Sequence, residues 1–374
     1  MFTSADILEG QKTVVVPHGI VRIDDYCFKG SGVTRVTLHN GLTSIGRSAF
    51  KKCEITEIEL PSSVSNMGIG CFKQCKKLTS IVLSSSLKDI PLCAFEGSGI
   101  KSVEIPEGIT KIDACAFIYC TDLTSVKLPS TLIELDVGAF HGTLISSIHI
   151  PETVTRIGAE CFQQCISLSS INIPKGVTKL EDRILSDTNI TSIDISDKII
   201  TGPIFNRCKN LMSFKLPELT EYYMDMFAGL DKLERVEIPE GITKLGERCF
   251  FRCVSLTYIK LPSNITKLPS CCFSGCKFRS FTVPEGVTKL STECFSGCSN
   301  LMSIELPSTL THIGGECFES TMLYLLVIPK SVIRADHGFC DKCNNLSVVK
   351  LSQHLYDSLL NHPSYARGVK FEIY

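Results

Sequence analysis

The fold this sequence predicts is a solenoid with parallel strands and about fifteen coils, and three observations carry the prediction. A phenylalanine returns every 22 or 23 residues almost throughout the 374-residue chain. An apolar, exposed, apolar triplet follows it after eight or nine residues and is usually closed by proline. Small residues, many of them cysteine, flank the phenylalanine at fixed offsets. A fixed period of this size marks a repeat whose units cannot bury their faces alone and must stack.

The phenylalanine slot sets the frame. It holds Phe28, Phe50, Phe72, Phe95, Phe117, Phe140, Phe162, Leu185, Phe205, Phe227, Phe250, Phe273, Phe295, Phe318 and Cys340, so thirteen of fifteen positions are Phe. Triplets such as Ile304-Glu305-Leu306 alternate inward and outward, which predicts short strands, and Pro307 ends the strand because it has no N–H. Sixteen triplets run from Val14-Val15-Val16 to Val349-Lys350-Leu351. Each unit repeats the strand in the same direction, so the strands stack in parallel. A turn such as Pro284-Glu285-Gly286 then leads to a second extended piece, Val287-Thr288-Lys289-Leu290. The unit closes with a helix-like turn, in which Ile157, Cys161, Phe162 and Cys165 fall on one face.

One unit offers five or six large apolar side chains, each contributing roughly 1.5 to 3 kcal/mol on burial. Ordering costs about 1.5 kcal/mol for every residue, so no unit folds alone. The expectation is one solenoid domain over residues 1–374, with 1–12 as N-terminal cap, 13–351 as repeats and 352–374 as C-terminal cap. Caps are needed because an open end presents apolar surface and unpaired strand edges. The pattern weakens between Leu180 and Phe227, where Tyr222 and Tyr223 stand in place of a small turn. That stretch is either a tolerated irregularity or a local binding feature carrying exposed tyrosines.

Charge is balanced, 38 Lys plus Arg against 39 Asp plus Glu, so no bulk field draws the chain to nucleic acid or an anionic membrane. The start shows no basic region followed by an apolar stretch, and nowhere are there about 18 consecutive apolar residues. These features favour a cytoplasmic location without membrane insertion. Twenty cysteines in such a chain then read as free thiols.

The thiols are the strongest candidate for chemistry. Pairs four apart occur at Cys71/Cys75, Cys161/Cys165, Cys249/Cys253, Cys272/Cys276 and Cys294/Cys298, a spacing that could assemble zinc ligands across coils. Against this, the slot before the phenylalanine holds Ala49, Ala94 and Ala116 as readily as Cys27 or Cys71. Likewise Ser98, Thr143 and Thr188 stand where Cys53 and Cys75 stand in sister coils. A ligand does not exchange with alanine, whereas a small buried filler does. The cysteines therefore read as reduced core thiols, with a metal-binding or redox-sensing protein as the alternative. The eight histidines form no H-E-x-x-H, and there is neither a nucleophile elbow nor a phosphate loop. No enzyme and no cofactor is expected.

The unit L-x-x-I-x-L-P-x-x-V-T-x-I-G-x-x-C-F-x-x-C, seen from Leu256 to Cys276, resembles the BspA-like class of leucine-rich repeats over roughly residues 13 to 351. Its cysteine-rich copies resemble those of protist members. The resemblance implies a right-handed solenoid with a parallel sheet on one face, and a non-enzymatic protein-binding role as interaction scaffold or adhesin. It also implies a host or matrix protein as partner and a cell-surface location, although no export signal or anchor is visible here.

Binding then belongs to the outer ladders. On the main sheet the position before the first inward residue is serine in seven successive coils, from Ser80 to Ser213. Toward the C-terminal end Tyr258, Leu325 and Val348 interrupt that row, beside the charged central positions Lys260 and Glu305. These five residues are the candidate protein-binding surface. A second candidate is a basic row on the second extended segment, Lys244, Lys267, Lys289 and Arg334, with His312 between the last two. The expected neutralising partners are turn acids such as Glu240 and Glu285; an uncompensated row would suit an acidic partner.

Overall fold

The computed structural model describes residues 1–360 and 369–374. They pack as two compact units, Met1–Ile204 and Phe205–Tyr374. Both are stacks of coils built on the same plan.

In the first unit, three-residue strands with an exposed, buried, exposed pattern form a parallel ladder: Thr13–Val15, Arg35–Thr37, Glu57–Glu59 and Ser80–Val82. Ser102–Glu104 and Ser125–Lys127 pair in the same way, with Val103 opposite Val126. A second ladder of two-residue strands runs on another face, where Lys111–Ile112 lies between Asp89–Ile90 and Glu134–Leu135. At the N-terminal end Phe2 bridges to Ile23 and stacks on Phe28.

The third side of each coil carries the phenylalanine. Seven rings from Phe28 to Phe162 stack with centroids 4.7–5.9 Å apart and planes within 12° of parallel. That offset geometry is the one aromatic quadrupoles favour. The segment expected as a helix-like turn faces its side chains inward, but half of its hydrogen bonds run to the next coil. Ser48, Phe50 and Lys52 donate to the carbonyls of Ile69, Cys71 and Lys73, while Ala49, Lys51 and Cys53 donate back within their own coil. This alternation requires left-handed backbone at the second residue on either side of the ring, φ 51° at Ser48 and 58° at Lys52. The strain of a non-glycine residue there, of order 1 kcal/mol, is offset by the bonds between coils. Leu185 occupies the phenylalanine slot fully buried.

In the second unit the rings Phe205, Phe227, Phe250, Phe273, Phe295 and Phe318 continue at 5.1–6.5 Å. Its main face carries Arg235–Glu237 paired with Tyr258–Lys260, Ser280–Thr282 paired with Ser303–Glu305, and Leu325–Val327 paired with Val348–Leu351. Its second ladder holds Lys267–Leu268, Lys289–Leu290, His312–Ile313 and Arg334–Ala335. The stretch expected to cover the C-terminal end holds the helix Gln353–Leu360, with Leu355 and Leu359 buried, and the strand Lys370–Ile373, which adds in parallel to Val348–Leu351. Its residues 361–368, with His362, lie outside the described residues.

Candidate functional site

The period-two strand brings the five candidate surface residues onto one face of the second unit. Inward Val236, Ile304 and Leu326 are buried, so their neighbours on either side face out. Leu325 and Val348 are direct register partners, and the Tyr258 and Lys260 strand pairs with that of Arg235 and Glu237. One outer row reads Arg235, Tyr258, Ser280, Ser303, Leu325, Val348, and the other reads Glu237, Lys260, Thr282, Glu305, Val327, Lys350. The Arg235 guanidinium lies 4.2 Å from the centre of the Tyr258 ring, a cation–π contact that holds the ring on the sheet. Thr282 donates its hydroxyl to Glu305 at 3.0 Å, and Lys350 pairs with Glu372 at 3.2 Å.

Three exposed residues that the ladder reading missed enlarge the apolar part of this face. Tyr324 is 67% exposed, Met302 51% and Val327 43%, all beside Leu325 at 39%. The strand ladder pointed to Val327, because it stands where other coils carry Glu or Lys. Tyr324 and Met302 sit just ahead of their strands, where no sequence rule distinguishes an exposed side chain.

The basic row also forms. Lys267 is in register with Lys289, Lys289 with His312, and His312 with Arg334, about 4.8 Å from coil to coil. The expected neutralisation by Glu240 and Glu285 does not occur. Glu240 accepts from the Ser263 backbone N–H and hydroxyl, and Glu285 from those of Ser308, because these acids reach the turn of the next coil. Among the described residues no carboxylate lies within ion-pair distance of Lys244, Lys267 or Lys289, while Arg334 pairs with Asp336 at 2.7 Å. In the first unit two cations of the same column are paired, Lys111 with Asp113 at 2.9 Å and Asp136 at 3.1 Å, and Arg156 with Glu134, while Lys179 has no carboxylate within ion-pair distance among the described residues.

In the irregular stretch the two tyrosines do not form an exposed pair. Tyr222 is 6% exposed and packs edge-on against Phe227 and Phe250, with its phenol pushed well above the usual range by burial. It is a core residue, because its ring turns inward to fill the coil; Tyr223 is half-buried.

None of the twenty cysteines is joined in a disulfide, and seventeen are buried. Burial raises the thiols: Cys120 and Cys165 are pushed up to about 11, Cys253 and Cys298 to about 12. Cys71, Cys161 and Cys294 lie well above the ordinary range for the same reason. Such groups stay protonated and unreactive near neutrality. Among the described residues no three His, Cys, Asp or Glu side chains converge as a metal set. No helix among them is long and apolar enough to cross a membrane.

The BspA type leucine-rich repeat region matches residues 9–124, 88–212, 133–253 and 220–347 of this chain. A leucine-rich cell surface protein of Faecalibacterium prausnitzii is 23% identical, with a TM-score of 0.54 over 95% of this chain and 92% of its own. A leucine-rich repeat protein of Bacteroides ovatus is also 23% identical, with a TM-score of 0.53 over 97% of this chain and 78% of its own. At that identity the likeness concerns the fold alone. No curated protein matches the chain in sequence.

Proposed function

The chain belongs to the BspA-type leucine-rich-repeat family, and on that premise we propose that it is a non-enzymatic interaction scaffold or adhesin that binds protein through the main sheet face of its second unit. One observation carries this reading: Tyr258, Leu325, Val327 and Tyr324 stand exposed, with Val348 half-buried beside Leu325, on or beside a sheet whose other outer positions are serine, threonine or charged. An aromatic and aliphatic cluster inside a polar rim is the composition of a binding hot spot. Lys260 and Glu305 supply the rim and set orientation more than affinity. A photo-crosslinking side chain placed at Leu325 should label a bound protein. One placed at Met224, 54% exposed and outside both the main sheet and the basic row, should not label the same protein. Equal labelling from both positions would contradict the reading.

The basic row favours a second contact. Three lysines in one column with no carboxylate in ion-pair distance among the described residues suit an acidic segment of a partner. A cytoplasmic location and a cell-surface one both remain consistent with this scaffold role, and a host or matrix protein is the partner that family resemblance favours. The metal-binding or redox alternative is met by counting. Twenty titratable thiols after unfolding without reductant, and no stoichiometric zinc, are expected; bound zinc or missing thiols would favour the alternative.

A further inference from the structure

The turn Pro217-Glu218-Leu219 is one residue shorter than its counterparts in the second unit. Ile242, Val287, Leu310 and Val332 each follow their turn proline by three residues and donate to its carbonyl at 3.0–3.3 Å. Leu219 follows Pro217 by two. Those counterparts are 0–1% exposed, whereas Leu219 is half-buried, as are Phe214 on the strand Ser213–Lys215 and Leu216 just after it. The missing residue leaves a cleft of about 690 Å³, floored by Phe214, Leu216, Leu219 and Tyr222. That volume lies within the usual range of sites for a small molecule or an inserted side chain, roughly 300 to 1,000 Å³.

Glu218 and Glu237 stand on its wall and are exposed. Among the described residues neither has a lysine or arginine within ion-pair distance. An apolar floor beneath two carboxylates that form no ion pair, Glu237 having Lys260 only as its register neighbour, fits a group that is apolar at its tip and cationic beside it. We propose that this cleft anchors a basic peptide segment, seating one bulky apolar side chain over Phe214 and Leu219 while an adjacent lysine or arginine pairs with Glu218 and Glu237. The proposal rests on the protein-interaction reading and adds to it a site and a partner chemistry.

The test uses the full chain and fluorescence anisotropy with blocked, labelled hexapeptides of alternating Phe and Lys. Matched peptides carry Glu for Lys, or Ser for Phe. The Phe–Lys peptide should bind, both matched peptides should bind less, and Glu218→Lys with Glu237→Lys should weaken binding roughly fivefold to tenfold. Thr220→Trp, which places an indole at the exposed mouth, should block it without touching the charges. Equal binding by the Glu and Lys peptides, indifference to both variants, or no binding of the Phe–Lys peptide would overturn the proposal. So would saturation by phenethylamine with no competing peptide binding, since the cleft would then hold a free amine. Tyr258→Ala with Leu325→Asp should leave this binding unchanged, so failure here and failure of the sheet-face reading give different results.

Discussion

The thiol of Cys75 donates a hydrogen bond to the backbone carbonyl of Phe50 in the preceding coil, at 2.8 Å. Cys120 does the same to Phe95 at 3.0 Å, Cys165 to Phe140 at 3.2 Å, Cys298 to Phe273 at 3.1 Å and Cys343 to Phe318 at 2.9 Å. The cysteine is thus a filler with a donor, tying each ring's backbone to the next coil. Cys75→Ala should cost about 1 to 2 kcal/mol, from the lost bond and the small void. Cys75→Ser, which keeps a donor, should cost less than the alanine change. Urea unfolding of the two variants checks the order; alanine as stable as serine would remove the role of the bond.

Stability should fall in alkali. Cys120 and Cys165 are pushed up to about 11 by burial, above the ordinary thiol value near 8.5. Between these values the native state holds protons that the unfolded state has released, so unfolding becomes easier as pH rises. Each such thiol removes about 1.4 kcal/mol per pH unit within that window and has no effect below it. Urea midpoints from pH 7 to 11 should be flat and then decline, and Cys120→Ser with Cys165→Ser should make the decline shallower. A decline of unchanged slope in that variant would assign it to other groups.

The ring stack should tolerate shape loss poorly. Phe72 lies between Phe50 at 5.0 Å and Phe95 at 5.5 Å and is fully buried. Phe72→Ala should cost about 3 to 5 kcal/mol. Phe72→Leu should cost clearly less, because Leu185 already occupies this slot buried. Thermal unfolding compares the two, and equal losses would show that ring stacking, beyond volume, dominates.

Much of this was legible in the sequence, and the limits have physical causes. The phenylalanine period and the strand alternation fixed register, because a one-residue slip would turn Ile304 outward and Glu305 inward. Left-handed backbone at Ser48 and Lys52 was hidden because neither residue is glycine; the bonds between coils impose it. The irregular spacing around Tyr222 left open whether its ring is exposed or packed, and the ring fills the core. The turn at Pro217 is shorter by one residue, and only the packing shows that a cleft replaces that residue. Glu240 and Glu285 were matched to the wrong partners, since the next coil's turn lies nearer to them than the lysine row does.

The basic row should respond to salt. A blocked oligoglutamate should bind the second unit's Lys244, Lys267 and Lys289 column, and raising salt from about 0.01 M to 0.15 M, which shortens the screening length from ~30 to ~8 Å, should weaken it. Lys267→Glu with Lys289→Glu should abolish the salt-dependent part. Binding that ignores both salt and the double change would show the row to be merely solvated.

In the proposed function, binding resides on the outer ladder and the thiols serve the core. The most direct test takes the protein labelled from Leu325 and measures its affinity for the unchanged chain, for Tyr258→Ala with Leu325→Asp, and for Cys75→Ser with Cys120→Ser. The ladder variant should bind at least about tenfold more weakly, as loss of hot-spot side chains does, while the thiol variant should bind as the unchanged chain does. Unchanged affinity in the ladder variant, or loss of binding in a folded thiol variant, would contradict the proposed function.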